Sequence, residues 1–221
     1  MKYTSIFSIM GVCFIILGWK LGLLGWLFFW SGISFLTIGC AYGGVGAKVF
    51  GKKSNGSMSR LSVCLLLPYL LLTWILWHIQ RWISQEYCCH EIVTGIWLER
   101  RPFLNELPDN ISLIIDLTAE FFEPSHIIAD KTYICIPTLD TSVPPDSVFQ
   151  VLIDTILSWQ GNIYIHCALG YGRSATVVAG ILLAKGLVDN INQAEKLLKA
   201  KRPGIKFSQE QKNMLKRVFK L

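Results

Sequence analysis

The sequence predicts an α/β domain, a central mixed sheet flanked by helices, preceded by about three transmembrane helices. Two observations carry this: the distribution of charge, and the change of hydrophobic pattern near residue 90. All fifteen Asp and Glu lie beyond residue 80, whereas residues 1–80 hold six Lys and Arg, so the formal net charge of +6 belongs to that first part. A largely apolar stretch without acids is not a solvated basic tail, which argues against nucleic acid as its partner and for a lipid bilayer.

Seventeen uncharged residues separate Lys2 from Lys20, twenty-seven separate Lys20 from Lys48, and twenty separate Arg60 from Arg81. A helix needs about twenty mainly apolar residues to cross the hydrocarbon core, so the second and third runs qualify and the first is short. The first also fits the start of a secretory leader, but a second apolar run follows Lys20 at once and no small-x-small cleavage site parts the two. Trp19, Trp26, Trp30, Trp74, Trp77 and Trp82 suit interfacial levels, where an apolar ring with one donor is half wet. The expected division is therefore a membrane region at 1–83 and an α/β domain at 84–221.

In that second part short apolar runs are separated by Pro, Asn and Asp. Residues 92–98, 111–117, 132–136 and 162–167 read as strands, the last two as buried ones. Residues 146–160 read as a helix, with Val148, Val151, Leu152, Thr155, Ile156 and Trp159 at helical spacing and Asp146 or Ser147 as cap. Residues 174–186, 192–200 and 208–219 read as further helices, stopped by Gly186 and Pro203. Of seven cysteines, Cys13, Cys40 and Cys64 fall in the apolar runs as small hydrophobes. No zinc spacing appears, and the adjacent Cys88 and Cys89, too strained to pair with each other easily, are expected to have a structural role or none.

The chemistry is concentrated in H-C-A-L-G-Y-G-R-S, His166 to Ser174, between an apolar strand and a helix. Five residues lie between Cys167 and Arg173, two of them Gly. Such a loop can turn successive backbone N–H groups inward at a helix N-terminus and hold an oxyanion. Ala168, Leu169, Gly170, Tyr171 and Gly172 then bind phosphate through their backbone. The helix end and the donor ring also favour a thiolate as nucleophile at Cys167. Arg173 supplies a planar fork for two phosphoryl oxygens, a geometry Lys does not offer. His166 is placed to orient the loop, and Ser174 to donate to the sulfur. Tyr171 either flanks the mouth of the site or packs as an ordinary surface tyrosine.

The loop resembles that of the protein tyrosine phosphatase superfamily, and its surroundings resemble the dual-specificity branch, over about residues 90–221. The supporting segments are I-V-T-G-I-W-L-E-R-R-P-F (92–103), I-I-D-L-T-A-E (114–120) and R-P-G-I-K-F-S-Q-E-Q (202–211). The resemblance implies a carboxylic acid on a loop before the cysteine that protonates the leaving oxygen. Asp140, twenty-seven positions before Cys167 and followed by a Pro-Pro pair, is preferred to Asp146. It further implies two in-line displacements through a phosphocysteine, with no metal or organic cofactor.

Phosphorylated proteins are the expected substrates. Phospholipids are the alternative, because the loop and the R-P-G segment are also similar to the mitochondrial phosphatidylglycerophosphate phosphatases. The lack of further Lys or Arg in the loop argues against polyphosphorylated inositol lipids. A non-catalytic phosphate-docking module and a sulfur-transfer or arsenate-reducing enzyme are the rivals outside this class. Lys48, Lys52, Lys53 and Arg60 cluster at 47–60, and positive loops prefer the cytoplasm. Three spans then place the α/β domain on the non-cytoplasmic side of an inner or plasma membrane, although an oxidising compartment is a poor home for a thiolate.

Overall fold

The computed structural model describes residues 2–22, 25–84 and 88–221. The chain forms two compact units, one of Met1–Lys53, Ser57–Ser84 and Ala119–Phe122, the other of Ser54–Gly56, Gln85–Thr118 and Glu123–Leu221.

The first unit contains α1 (Lys2–Lys20), α2 (Gly25–Cys40) and α3 (Arg60–Ile83). Three segments, Lys2–Lys20, Gly25–Phe50 and Arg60–Ile83, are long and apolar enough to cross a membrane. At about 1.5 Å per residue α3 is about 36 Å long, more than the roughly 30 Å of a hydrocarbon core. The second segment is α-helical only to Cys40 and continues as a π turn, Ala41–Val45, and a 3-10 turn, Gly46–Phe50. Gly44 (φ 133°) and Gly46 (φ 77°) leave the helical region there, which the apolar run alone did not reveal. Between α1 and α2 the backbones touch through glycines, for a Cβ on Gly32 would stand 2.8 Å from Gly11 O and one on Gly25 would collide with Gly18 O. Small residues that let helices approach this closely suit packing within lipid.

The tryptophans divide. Trp19 and Trp82 are 83% and 87% exposed, as expected for helix ends in an interface. Trp77, by contrast, is buried against Phe121, and the Trp74 indole donates to Glu120 O at 2.9 Å. Trp30 donates to Cys64 O at 3.0 Å. These three satisfy their N–H groups or bury their rings within the unit.

The second unit is built on a five-stranded sheet in the order β1-β2-β5-β3-β4, with β1 Cys89–Val93, β2 Ile96–Arg100, β3 Ile111–Thr118, β4 Thr132–Thr138 and β5 Asn162–Cys167. β1 is antiparallel to β2, and the pairs β2–β5, β5–β3 and β3–β4 are parallel. The expected single strand at 92–98 is a hairpin instead. Gly95 (φ 79°) takes the left-handed conformation at its turn and its N–H is held by Glu91 Oε1 at 2.8 Å. β4 is the sheet edge and only half-buried, not the fully buried strand its Ile content suggested.

The helices are α4 (Ser125–Ile128), α5 (Asp146–Ser158), α6 (Arg173–Ala184), α7 (Ile191–Lys201) and α8 (Gln209–Phe219). The main core joins β3 and β5 to α5, α6, α7 and α8 through Leu113, Ile115, Leu117, Ile163, Ile165 and the apolar faces of the helices. The opposite face carries Ile111, Ile114, Ile127 and Tyr164. Period-2 alternation along β5 therefore sends Cys167 to the helix side with Ile163 and Ile165, and His166 to the other side with Tyr164. Because β2, β5, β3 and β4 run parallel, their C-terminal ends, Arg100, Cys167, Thr118 and Thr138, come to one edge, where sites form in such sheets.

Candidate active site

β5 ends at Cys167 and α6 begins at Arg173, so the loop between them caps the C-terminal edge of the sheet. The orientation of its peptide planes follows from where its carbonyls go. Ala168 O accepts from Arg101 N at 3.2 Å, Leu169 O from Arg202 Nη2 at 3.0 Å, and Tyr171 O from Lys206 N at 3.2 Å. These partners all lie outside the loop. In a trans peptide the N–H points opposite to the carbonyl, so the amides of Leu169, Gly170 and Gly172 face inward. Gly170 N is indeed 3.3 Å from Cys167 Sγ. The outward carbonyls of the loop are thus held by donors that lie outside it.

Gly170 has φ 79°, and a Cβ there would stand 2.6 Å from Glu99 O at the end of β2, so both conformation and space demand glycine. Gly172, at φ −123° and ψ −78°, precedes the first residue of α6 without a side-chain cap. That leaves the first turn of α6 pointed at the cradle, where an anion is favoured.

Cys167 is 3% exposed, and its Sγ lies 3.3 Å from Ser174 Oγ, which also approaches Glu99 O at 3.4 Å. Arg173 is buried and anchored: Nη1 donates to Leu117 O at 3.3 Å and to Thr138 O at 2.9 Å, the ends of β3 and β4. Its Nε is 3.5 Å from Asp140 Oδ1. The Asp140 side chain is 68% exposed, on the loop that follows β4, and Thr141 next to it has φ 61°. This loop is held by α8, since Ser208 Oγ donates to Thr141 O at 2.7 Å and Gln211 Nε2 to Ser142 O at 3.4 Å.

Asp146 lies elsewhere. It is the first residue of α5 rather than its cap, Pro145 preceding the helix without a side-chain bond, and it pairs with Arg217 through two contacts of 2.7 and 2.8 Å. That hydrogen-bonded guanidinium holds the Asp146 carboxyl below its ordinary range. Ser147 does not cap α5 either.

His166 is fully buried on the face opposite Cys167, with Nε2 4.0 Å from Asp116 Oδ1, the residue paired with it across the sheet. Asp116 accepts from Thr118 N, Thr118 Oγ1 and Tyr133 OH, each at 2.7 Å. Burial, and then the Asp116 charge, push the Tyr133 phenol up, so it stays a donor. Tyr171 packs its ring against Gly204 and under Arg202, the packed alternative of the two offered by the sequence.

Two residues escaped the sequence reading. Arg202 is 1% exposed and ties Leu169 O to Cys88 O (3.2 Å) and to His90 Nδ1 (3.3 Å). In sequence it looks like one more cation at the end of a Lys-rich helix, and only the Pro-Gly after it hinted at a fixed position. Glu99 is fully buried beneath the loop, and burial pushes its carboxyl up to about 10, with the neighbouring Cys88 adding to the shift. Nothing in W-L-E-R-R marked it as buried.

The family "Dual specificity phosphatase, catalytic domain" matches residues 102–220, more than half of the chain. The chain belongs to that family and is a phosphoric monoester hydrolase of the protein tyrosine and dual-specificity phosphatase type. Tk-PTP in its active form is similar at 21% identity and TM-score 0.53, over 60% of this chain and 96% of that one. PTPMT1 in complex with PI(5)P is similar at 24% identity and TM-score 0.53, over 60% and 94%. DUSP15 is similar at 24% identity and TM-score 0.52, over 59% and 86%. These likenesses extend the fold assignment. Curated protein sequences give no significant match.

Proposed function

We propose that this chain is a membrane-anchored phosphatase that hydrolyses phosphate monoesters on phosphoproteins through a phosphocysteine at Cys167. The observation that carries the reading is that one short loop joins Cys167, with Gly170 N 3.3 Å from its Sγ, to a buried Arg173 whose Nε lies 3.5 Å from Asp140 Oδ1. A phosphoryl group seated on the amides takes the Nε side of Arg173 and displaces the Asp140 carboxyl toward the leaving oxygen. Cys167 Sγ attacks phosphorus, the ester P–O bond breaks, and Asp140 delivers its proton to the departing alkoxide or phenoxide. Arg173 and the amides stabilise the charge on the equatorial oxygens. In the second displacement Asp140 takes a proton from water, the hydroxide attacks phosphorus and the P–S bond breaks. Ser174 Oγ, 3.3 Å from the sulfur, donates to the returning thiolate. His166 is a positioning residue on the far face of β5.

A phospholipid monoester is the second reading. The three apolar segments favour it, since attachment to a bilayer raises the local concentration of a lipid substrate. Phosphate release by the full-length chain in lipid-detergent micelles, from phosphotyrosyl, phosphoseryl and phosphothreonyl peptides and from phosphatidylglycerophosphate, separates the two. Higher kcat/KM on the peptides is expected. A higher value on the lipid favours the second reading, and release from neither overturns both.

A further inference from the structure

Behind the phosphate loop, the approach to β1 brings Cys88 and Cys89 to Glu99 of β2. One ligand atom from each, two sulfurs and a carboxylate oxygen, all lie within 4.8 Å of one another. Glu99 is fully buried. Its Oε1 accepts from His90 N at 2.9 Å, while Oε2 has no hydrogen-bond partner among the described residues. A buried carboxyl with an unpaired oxygen is costly unless something pairs with it, and one oxygen of this carboxyl lies within 4.8 Å of both thiols.

We propose that Cys88, Cys89 and Glu99 form a binding site for a borderline-soft divalent cation, with Zn²⁺ the best fit. Two thiolates and one carboxylate are a donor set for such an ion, and tetrahedral ligands at about 2.3 Å from it stand about 3.7 Å apart. The three atoms therefore need to close by no more than about 1 Å, within the reach of side-chain rotation near a sheet edge. Hard oxygen-seeking ions are disfavoured by the two sulfurs. The fourth position is left to an external ligand. With a dication the cluster carries one net negative charge, and two guanidiniums flank it. Arg202 Nη1 donates to Cys88 O at 3.2 Å, and Arg100, next to Glu99 in sequence, pairs with Glu106 at 3.2 Å, whose carbonyl in turn accepts from Cys89 Sγ at 3.1 Å.

The site reaches the catalytic loop through one side chain. Arg202 holds Cys88 O and Leu169 O together, so a cation that fixes the Cys88 peptide also fixes the support of the phosphate cradle. Its role is structural, and it takes no part in the displacement steps.

The test is a Co²⁺ titration of the full-length chain in detergent, purified reduced and stripped with chelator, with Co²⁺ as the optical probe for Zn²⁺. Stoichiometric binding is expected, with a sulfur-to-cobalt charge-transfer band and the intense visible bands of a tetrahedral site, both displaced by Zn²⁺. The bands persist in Cys167→Ser and Cys135→Ser and vanish in Cys88→Ala and in Cys89→Ala. Glu99→Gln weakens binding by about tenfold or more, as loss of one ligand does. Zn²⁺ also raises the unfolding midpoint of the unsubstituted chain, a readout that holds even if one variant fails to fold. Absence of the bands, their survival without Cys88 and Cys89, or their loss with Cys167 alone overturns the assignment.

Discussion

Gly170→Ala is the sharpest perturbation of the cradle. At φ 79° an alanine occupies the left-handed region, which costs an L-residue about 1–2 kcal/mol. The added methyl would stand 2.6 Å from Glu99 O, 2.7 Å from Glu99 C and 2.9 Å from Arg100 N. Since atoms in ordinary contact sit about 3.5 Å apart, the loop and the end of β2 must part by roughly 0.9 Å. β2 is hydrogen-bonded on both sides, to β1 and β5, so the loop is what moves. A shift near 1 Å in reacting geometry costs about 10²-fold in rate. Steady-state kinetics on p-nitrophenyl phosphate should therefore show kcat/KM lower by about 10²-fold, together with a lower unfolding midpoint. Kinetics and midpoint indistinguishable from the unsubstituted chain would refute the packing argument.

Other substitutions separate roles. Asp140→Ala should lower kcat by about 10²–10⁴-fold, the share that loss of the proposed general acid removes. Asp146→Ala, which severs only an exposed pair with Arg217, should leave kcat unchanged. Arg202→Met strands Leu169 O and Cys88 O without their donor, at about 1–3 kcal/mol each, and should reduce both chemical-denaturation stability and kcat. For Glu99, the folded chain holds its proton up to about 10, whereas the unfolded chain loses it near the ordinary 4.5. Stability of the metal-stripped chain is therefore fullest below that lower value and declines with rising pH across the window. Denaturation curves of Glu99→Gln should lack that decline.

The elements that position the site were legible where the signal is local. β5 and the turn from Cys167 to Arg173 read directly, because a short Ile-rich run bounded by turn residues and a Cys-to-Arg spacing are carried by adjacent positions. The helices α5 to α8 were found to within a residue or two by their period. What failed was information that only the sheet supplies. The hairpin of β1 and β2 depends on one positive-φ glycine, and the edge position of β4 depends on strand order, neither of which periodicity encodes. The sequence preferred Asp140 to Asp146 by its spacing and the Pro-Pro pair, but the pairing of Asp146 with Arg217, seventy-one positions away, lay beyond it. Arg202 and Cys88 are likewise brought together across 114 positions, beyond any spacing rule.

The most direct test of the chemistry is Cys167→Ser. Turnover of phosphate monoesters should vanish while a phosphate ester still binds, because the inward amides and Arg173 do not depend on the sulfur. Turnover undiminished in that variant would contradict a covalent route through Cys167.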